Sequence, residues 1–76
     1  MQNRDVNIAL SRAEALVLFE YLSRMNNKDV TYDHPSEKRV LWDIECTLES
    51  TLSEPFDPNY KDILKSAREE VIKSKG

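Results

Sequence analysis

Residues 5–19 read Asp5-Val6-Asn7-Ile8-Ala9-Leu10-Ser11-Arg12-Ala13-Glu14-Ala15-Leu16-Val17-Leu18-Phe19, and the change of period inside this stretch decides the fold class. Val6, Ile8 and Leu10 alternate with Asp5, Asn7 and Ala9, the period-two pattern of a short strand with one apolar face. A strand needs a mate, and the other β-like run is Asp29-Val30-Thr31-Tyr32. Either the two pair with each other, or residues 5–10 pair with their copy in a homodimer. At Ser11 the period changes. Ser11-Arg12-Ala13-Glu14 is a capping box, in which the serine hydroxyl and the glutamate side chain satisfy each other's free backbone donors.

The first helix follows directly. Ala15, Leu16, Leu18, Phe19, Leu22 and Met25, widened by Val17, cover more than half of its circumference, which suits a central helix packed on two sides. Asn26-Asn27 stops it, because asparagine tolerates the left-handed conformation that often ends helices. Asp33-His34-Pro35 opens a second helix, with proline at a position where its missing N–H costs nothing. Val40, Leu41, Ile44, Leu48 and Leu52 then recur at three- and four-residue spacing as one core stripe. Glu54-Pro55 ends that helix, and Asp57-Pro58 repeats the cap-then-proline signal. Tyr60, Ile63, Leu64, Ala67 and Val71 give the third helix a clean apolar face. Leu18, Ile44 and Leu64 sit mid-stripe on their helices and are expected in the core. The expected fold is α+β and mostly α: an N-terminal strand, three helices, and a second short strand between the first two helices.

Glycine occurs only at position 76, and no repeat or low-complexity run suggests a linker, so residues 1–76 are read as a single domain. A chain of this length buries only about 60% of the surface its unfolded form exposes, which leaves room for help from a second copy or a partner. The net charge of −3 is unevenly spread: residues 29–57 carry eight acids and two bases, between segments of +1 and +2. An acidic middle favours a basic protein partner and disfavours nucleic acid.

One cysteine, Cys46, and one histidine, His34, exclude an intramolecular disulfide and fall short of the roughly four Cys or His ligands of a structural zinc site. Met1-Gln2-Asn3-Arg4-Asp5 lacks the apolar run of a signal peptide, and nothing later approaches the roughly 20 apolar residues of a membrane span. A cytoplasmic protein without membrane contact is expected. Cofactors are not expected either, since a phosphate-cradling loop needs internal glycines. His34 and Cys46 lie about 18 Å apart if both belong to the second helix, and Glu45 with Glu49 carries no sign of burial. No catalytic set is present, and enzymatic activity is not expected.

Trp42 does not belong to the apolar stripe of the second helix, because at about 100° per residue it falls well away from it. Cys46 lies one turn on, with Glu45 and Glu49 adjoining. One reading is an apolar island with an acidic rim, the composition of a protein-binding hot spot. The other is that Pro55-Phe56-Asp57-Pro58 or the third helix folds over Trp42 and buries it. Lys61, Lys65, Arg68 and Lys75 form a basic stripe on the third helix; lacking a basic domain or a nucleic-acid motif, it is expected to face Glu45 and Glu49, where exposed pairs contribute roughly 0–1 kcal/mol each.

The runs Leu10-Ser11-Arg12-Ala13-Glu14-Ala15-Leu16-Val17-Leu18-Phe19-Glu20, Leu41-Trp42-Asp43-Ile44-Glu45 and Glu54-Pro55-Phe56-Asp57-Pro58-Asn59-Tyr60 together resemble a set of short, uncharacterised bacterial proteins. The resemblance spans most of residues 6–72 and implies a bacterial cytoplasmic origin, but no activity or site. The functional expectation is a non-catalytic protein-binding domain: first an acidic inhibitor of the immunity or antitoxin kind acting on a basic partner, second a homodimeric accessory or scaffold protein, and nucleic-acid binding a distant third.

Overall fold

The computed structural model describes residues 5–28 and 31–75, with side chains as far as Ser74. Three helices follow one another: α1 (Arg12–Asn26), α2 (Pro35–Thr51) and α3 (Tyr60–Lys75), with a single 3-10 turn over Glu54–Phe56 between the last two. There is no strand among the described residues, and this overturns the expected α+β class. Residues 5–10 form no ladder, and Val6 and Ile8 stand 89% and 80% exposed. Of the proposed mate at residues 29–32, Asp29 and Val30 lie outside the described residues, and Thr31 and Tyr32 are not in a strand. The physical reason is that alternation over six residues is a property of the segment, whereas a strand exists only where another chain segment completes its hydrogen bonds.

The start of α1 is fixed as its capping box requires. The Glu14 N–H donates to Ser11 Oγ at 3.1 Å and the Ser11 N–H to Glu14 Oε1 at 2.9 Å, so two of the orphan donors at the helix start are satisfied reciprocally. Its end differs from the expected left-handed stop. Asn27 sits at φ −97°, ψ 2° and closes the helix with its side chain, Nδ2 donating to the Ser23 carbonyl at 2.8 Å.

Helix α1 is the centre of the fold, packing against both α2 and α3, whereas α2 and α3 barely meet. Ala13, Ala15, Leu16 and Phe19 from α1, Leu52 from the end of α2 and Ala67 from α3 make the main core cluster, with Leu48, Tyr60, Ile63 and Val71 packed around it. Leu22 and Leu64 are also buried, and Leu18 is half-buried. Polar ties hold the ends in place. Arg12 grips both Glu54 carboxylate oxygens, Nη2 to Oε1 at 2.8 Å, which pins the start of α1 to the 3-10 turn; those hydrogen bonds hold the Glu54 carboxyl below its usual range and raise the guanidinium. The Tyr60 hydroxyl donates to Glu20 Oε1 at 3.0 Å, joining the start of α3 to the middle of α1.

Helix α2 is set antiparallel to α1 and shifted along it. Its end, Leu52, reaches the core cluster, while Asn26, the last residue of α1, donates from Nδ2 to Glu45 Oε1. Glu45 lies ten residues after Pro35, about 15 Å along the axis. The first half of α2 therefore runs past the end of α1. The accessible surface, 6471 Å², exceeds the roughly 4,800 Å² of a compact monomer of this size.

Candidate protein-binding faces on α2

The offset divides the surface of α2 into three strips, each at the three- and four-residue spacing that keeps side chains on one line. Leu41, Glu45, Leu48 and Leu52 face α1: Leu52 is buried, Leu41, Glu45 and Leu48 are half-buried, and Glu45 accepts the Asn26 hydrogen bond. The second strip is Val40, Ile44, Thr47 and Thr51, all exposed, with Val40 at 54% and Ile44 at 39%. The expected single core stripe is therefore split. Leu41, Leu48 and Leu52 belong to the core side, while Val40 and Ile44 do not, because one neighbouring helix covers an arc too narrow for all five. No residue within Pro35–Thr51 is buried.

Trp42, Cys46 and Glu49 form the third strip. All three are exposed, and Trp42 retains 55% of its surface. The segment 55–58 does not fold over the indole; the 3-10 turn packs on α3 and is tied to Arg12. Of the four residues expected in a binding face, the structure thus brings Trp42, Cys46 and Glu49 together and turns Glu45 towards α1. The surroundings of Trp42 also hold what the sequence reading missed. Pro35, Lys38, Arg39 and Asp43 line a shallow depression against the indole, and Arg39 Nε lies 3.4 Å from Asp43 Oδ1. The rim is mixed in charge, basic towards the start of the helix and acidic beyond Trp42. Lys38 and Arg39 stand four and three residues before Trp42, so helical spacing alone could have found them.

The start of α2, next to this face, is capped on both sides of Pro35. His34 is the N-cap and its Nδ1 accepts from the Ser36 N–H at 3.1 Å, while the Asp33 N–H donates to Glu37 Oε1 at 3.0 Å. His34 is occupied in this way twelve residues from Cys46, and the two are not partners. Among the described residues no group of three or more His, Cys, Asp or Glu is placed to hold a metal ion.

The basic stripe of α3 does not face α2. Lys61, Lys65 and Arg68 are exposed; Arg68 borders a groove against α1 with Val17, Tyr21 and Val71, and the side chain of Lys75 lies outside the described residues. Among the described residues the ion pairs are Arg12–Glu54 and Arg39–Asp43, so the expected pairing with Glu45 and Glu49 is absent because α2 and α3 hardly touch. No helix among the described residues is long and apolar enough to cross a membrane. No protein-family model, curated protein or solved structure matches this chain.

Proposed function

We propose that this chain is a protein-binding domain without chemistry of its own, and that it docks a partner through the Trp42 strip of α2. The observation that carries the reading is the 55% exposure of Trp42 on a capped helix: a large apolar side chain held in water is a cost that a partner's pocket removes. Tryptophan is among the residues most enriched at binding hot spots. Beyond Trp42 the strip offers Cys46 and the exposed Glu49; both bases of residues 29–57, Lys38 and Arg39, adjoin the indole, but the segment as a whole carries eight acids against those two, and that net charge supports a basic partner. An inhibitor of the immunity or antitoxin kind, acting on such a partner, is the sharper form of this proposal.

Matched retention of extract proteins on the wild-type chain and on Trp42→Ala tests it, followed by titration of whatever the first holds and the second loses. The expected outcome is a basic protein whose affinity falls by at least about 2 kcal/mol in Trp42→Ala, and whose association slows, with a flatter salt dependence, in Glu49→Gln. Equal retention by both chains would remove Trp42 as the anchor.

A further inference from the structure

The basic stripe of α3 lacks the α2 carboxylates it is expected to face, and its Arg68 stands instead at a groove between α1 and α3. We propose that this groove takes an acidic amphipathic helix of a partner protein, with the apolar ridge of that helix on the groove floor and its carboxylates on Arg24 and Arg68. The contact is separate from the Trp42 strip, because no residue of α2 lines the groove.

The floor of the groove is apolar and its rim is basic. Val17 from α1 and Val71 from α3 are half-buried, so the fold covers each of them only in part, and Tyr21 beside them leaves 48% of its surface exposed. Val17, Tyr21 and Arg24 follow at four- and three-residue spacing on one helix, and Arg68 and Val71 at three-residue spacing on the other, so floor and rim come from one line on each. The Arg24 guanidinium lies over the Tyr21 ring, 5.8 Å from its centre, which holds one cation at the α1 wall. Arg68 supplies the second from α3. Among the described residues the ion pairs are Arg12–Glu54 and Arg39–Asp43, so neither Arg24 nor Arg68 has a carboxylate partner there. The acids of α1 that could serve are engaged elsewhere: Glu20, one turn before Arg24, accepts the Tyr60 hydroxyl at 3.0 Å, and Glu14 accepts the Ser11 N–H in the capping box. Glu14 also borders the groove, but it lies ten residues before Arg24, about 15 Å along the axis, so one end of the groove is basic.

These features select among anionic partners. A carboxylate matches a guanidinium in a bidentate pair, and a helix with apolar anchors at i, i+3, i+4 and i+7 fits a groove between two helices. A bilayer surface is flat, and would meet the rim cations without reaching the floor between α1 and α3. Nucleic acid brings phosphates but no apolar ridge, and base stacking needs an open aromatic face, whereas the Tyr21 ring already carries Arg24. Lys61 and Lys65, both exposed, continue the line of Arg68 along α3 at three- and four-residue spacing, which extends the basic rim for further carboxylates of the same partner helix.

Fluorescence anisotropy with the full chain tests the proposal, using a labelled helical peptide that carries leucine at i, i+3, i+4 and i+7 and glutamate on both flanks. The wild type is expected to bind this peptide, less tightly as salt rises, and to bind its lysine counterpart at least about tenfold more weakly. Arg24→Gln and Arg68→Gln should each weaken the glutamate peptide about tenfold, the loss expected of one hydrogen-bonded charge pair. Both positions are exposed, so helical circular dichroism should not change. Trp42→Ala and Glu49→Gln should bind the peptide as the wild type does, so this inference and the Trp42 reading fail separately. The proposal is overturned by no binding of the glutamate peptide, by equal binding of the lysine peptide, or by unchanged affinity in both arginine variants. It is overturned equally if a DNA duplex, or a vesicle of phosphatidylcholine and phosphatidylserine, binds more tightly than the peptide and loses that binding in the arginine variants, since the partner would then be a phosphate surface. Should the arginine variants lose helix content, amide shift mapping on the wild type decides. Saturation with the glutamate peptide should move the amides of Val17, Tyr21 and Val71 and leave those of Val40, Trp42 and Glu49 in place; the reverse pattern overturns the groove.

Discussion

Helices α1 and α2 are similar in length and both carry regularly spaced apolar residues, yet α1 buries Ala13, Ala15, Leu16, Phe19 and Leu22 while α2 buries nothing between Pro35 and Thr51. The difference lies in what stands next to each. Helix α1 is flanked by both other helices, so an apolar arc wider than half its circumference finds cover on two sides. Helix α2 has α1 alone, and the Asn26–Glu45 contact shows that half of its length runs past even that neighbour. An amphipathic pattern specifies that a face seeks cover; it does not specify that the same molecule supplies it.

The contrast makes its strongest demand on core truncations. Phe19→Ala should cost about 3–5 kcal/mol, since a buried aromatic side chain leaves a cavity that its neighbours fill only partly. In a domain whose whole stability is of order 5–15 kcal/mol, chemical denaturation should show a large loss or no folded baseline. Leu52→Ala should follow at about 2–5 kcal/mol, because Leu52 is where α2 enters the core cluster; a loss as small as that of a surface substitution would mean that α2 is not anchored there. Ser11→Ala should cost about 1 kcal/mol by opening the capping box, visible in denaturation and as earlier amide exchange in the first turn of α1.

The attachment of α3 to α1 has its own probe in Tyr60. Burial, reinforced by the hydrogen bond to Glu20, pushes its phenol up to about 12. The proton is held more tightly in the folded state than in the unfolded chain, where tyrosine titrates near 10. The stabilisation is therefore fully present below about pH 10 and is lost as pH rises through about 12. Ultraviolet titration should show one tyrosine ionising later than the others, and Tyr60→Phe should remove that late step. The smallest effect is expected at Val40→Ala, which should change stability by less than about 0.5 kcal/mol, the exposed apolar loss being offset by alanine's better helix propensity. A cost above about 2 kcal/mol there would show that the monomer covers this strip itself and would erase the contrast between the two helices.

Much of this architecture was legible in the chain. The Ser11–Glu14 capping box, Pro35 at the head of α2 and the apolar sets of α1 and α3 all appear where the residues indicate, within about two residues at the ends. The off-stripe position of Trp42 was also legible from phase alone, although phase left open whether segment 55–58 would cover it. Other features were not legible, the failure of the α3 basic stripe to face Glu45 and Glu49 among them. The alternation of Val6, Ile8 and Leu10 suggested a strand that does not form; the five-residue stripe of α2 suggested one face where there are two; and Glu45 was assigned to the rim of Trp42 although it turns to α1.

These outcomes divide along the range of the interactions concerned. Helix starts, N-caps and the angular position of a residue around its own helix depend on contacts within about four positions, and the sequence determined them because both partners lie in the same short segment. Whether residues 5–10 become a strand depends on a partner segment elsewhere, and how far α2 slides along α1 depends on where Asn26 and Leu52 find their contacts. Only the tertiary structure decided those, because strand pairing and helix offset are set by groups distant in sequence, and a shift of about 15 Å along one helix axis changes which side chains meet water without changing a single local preference.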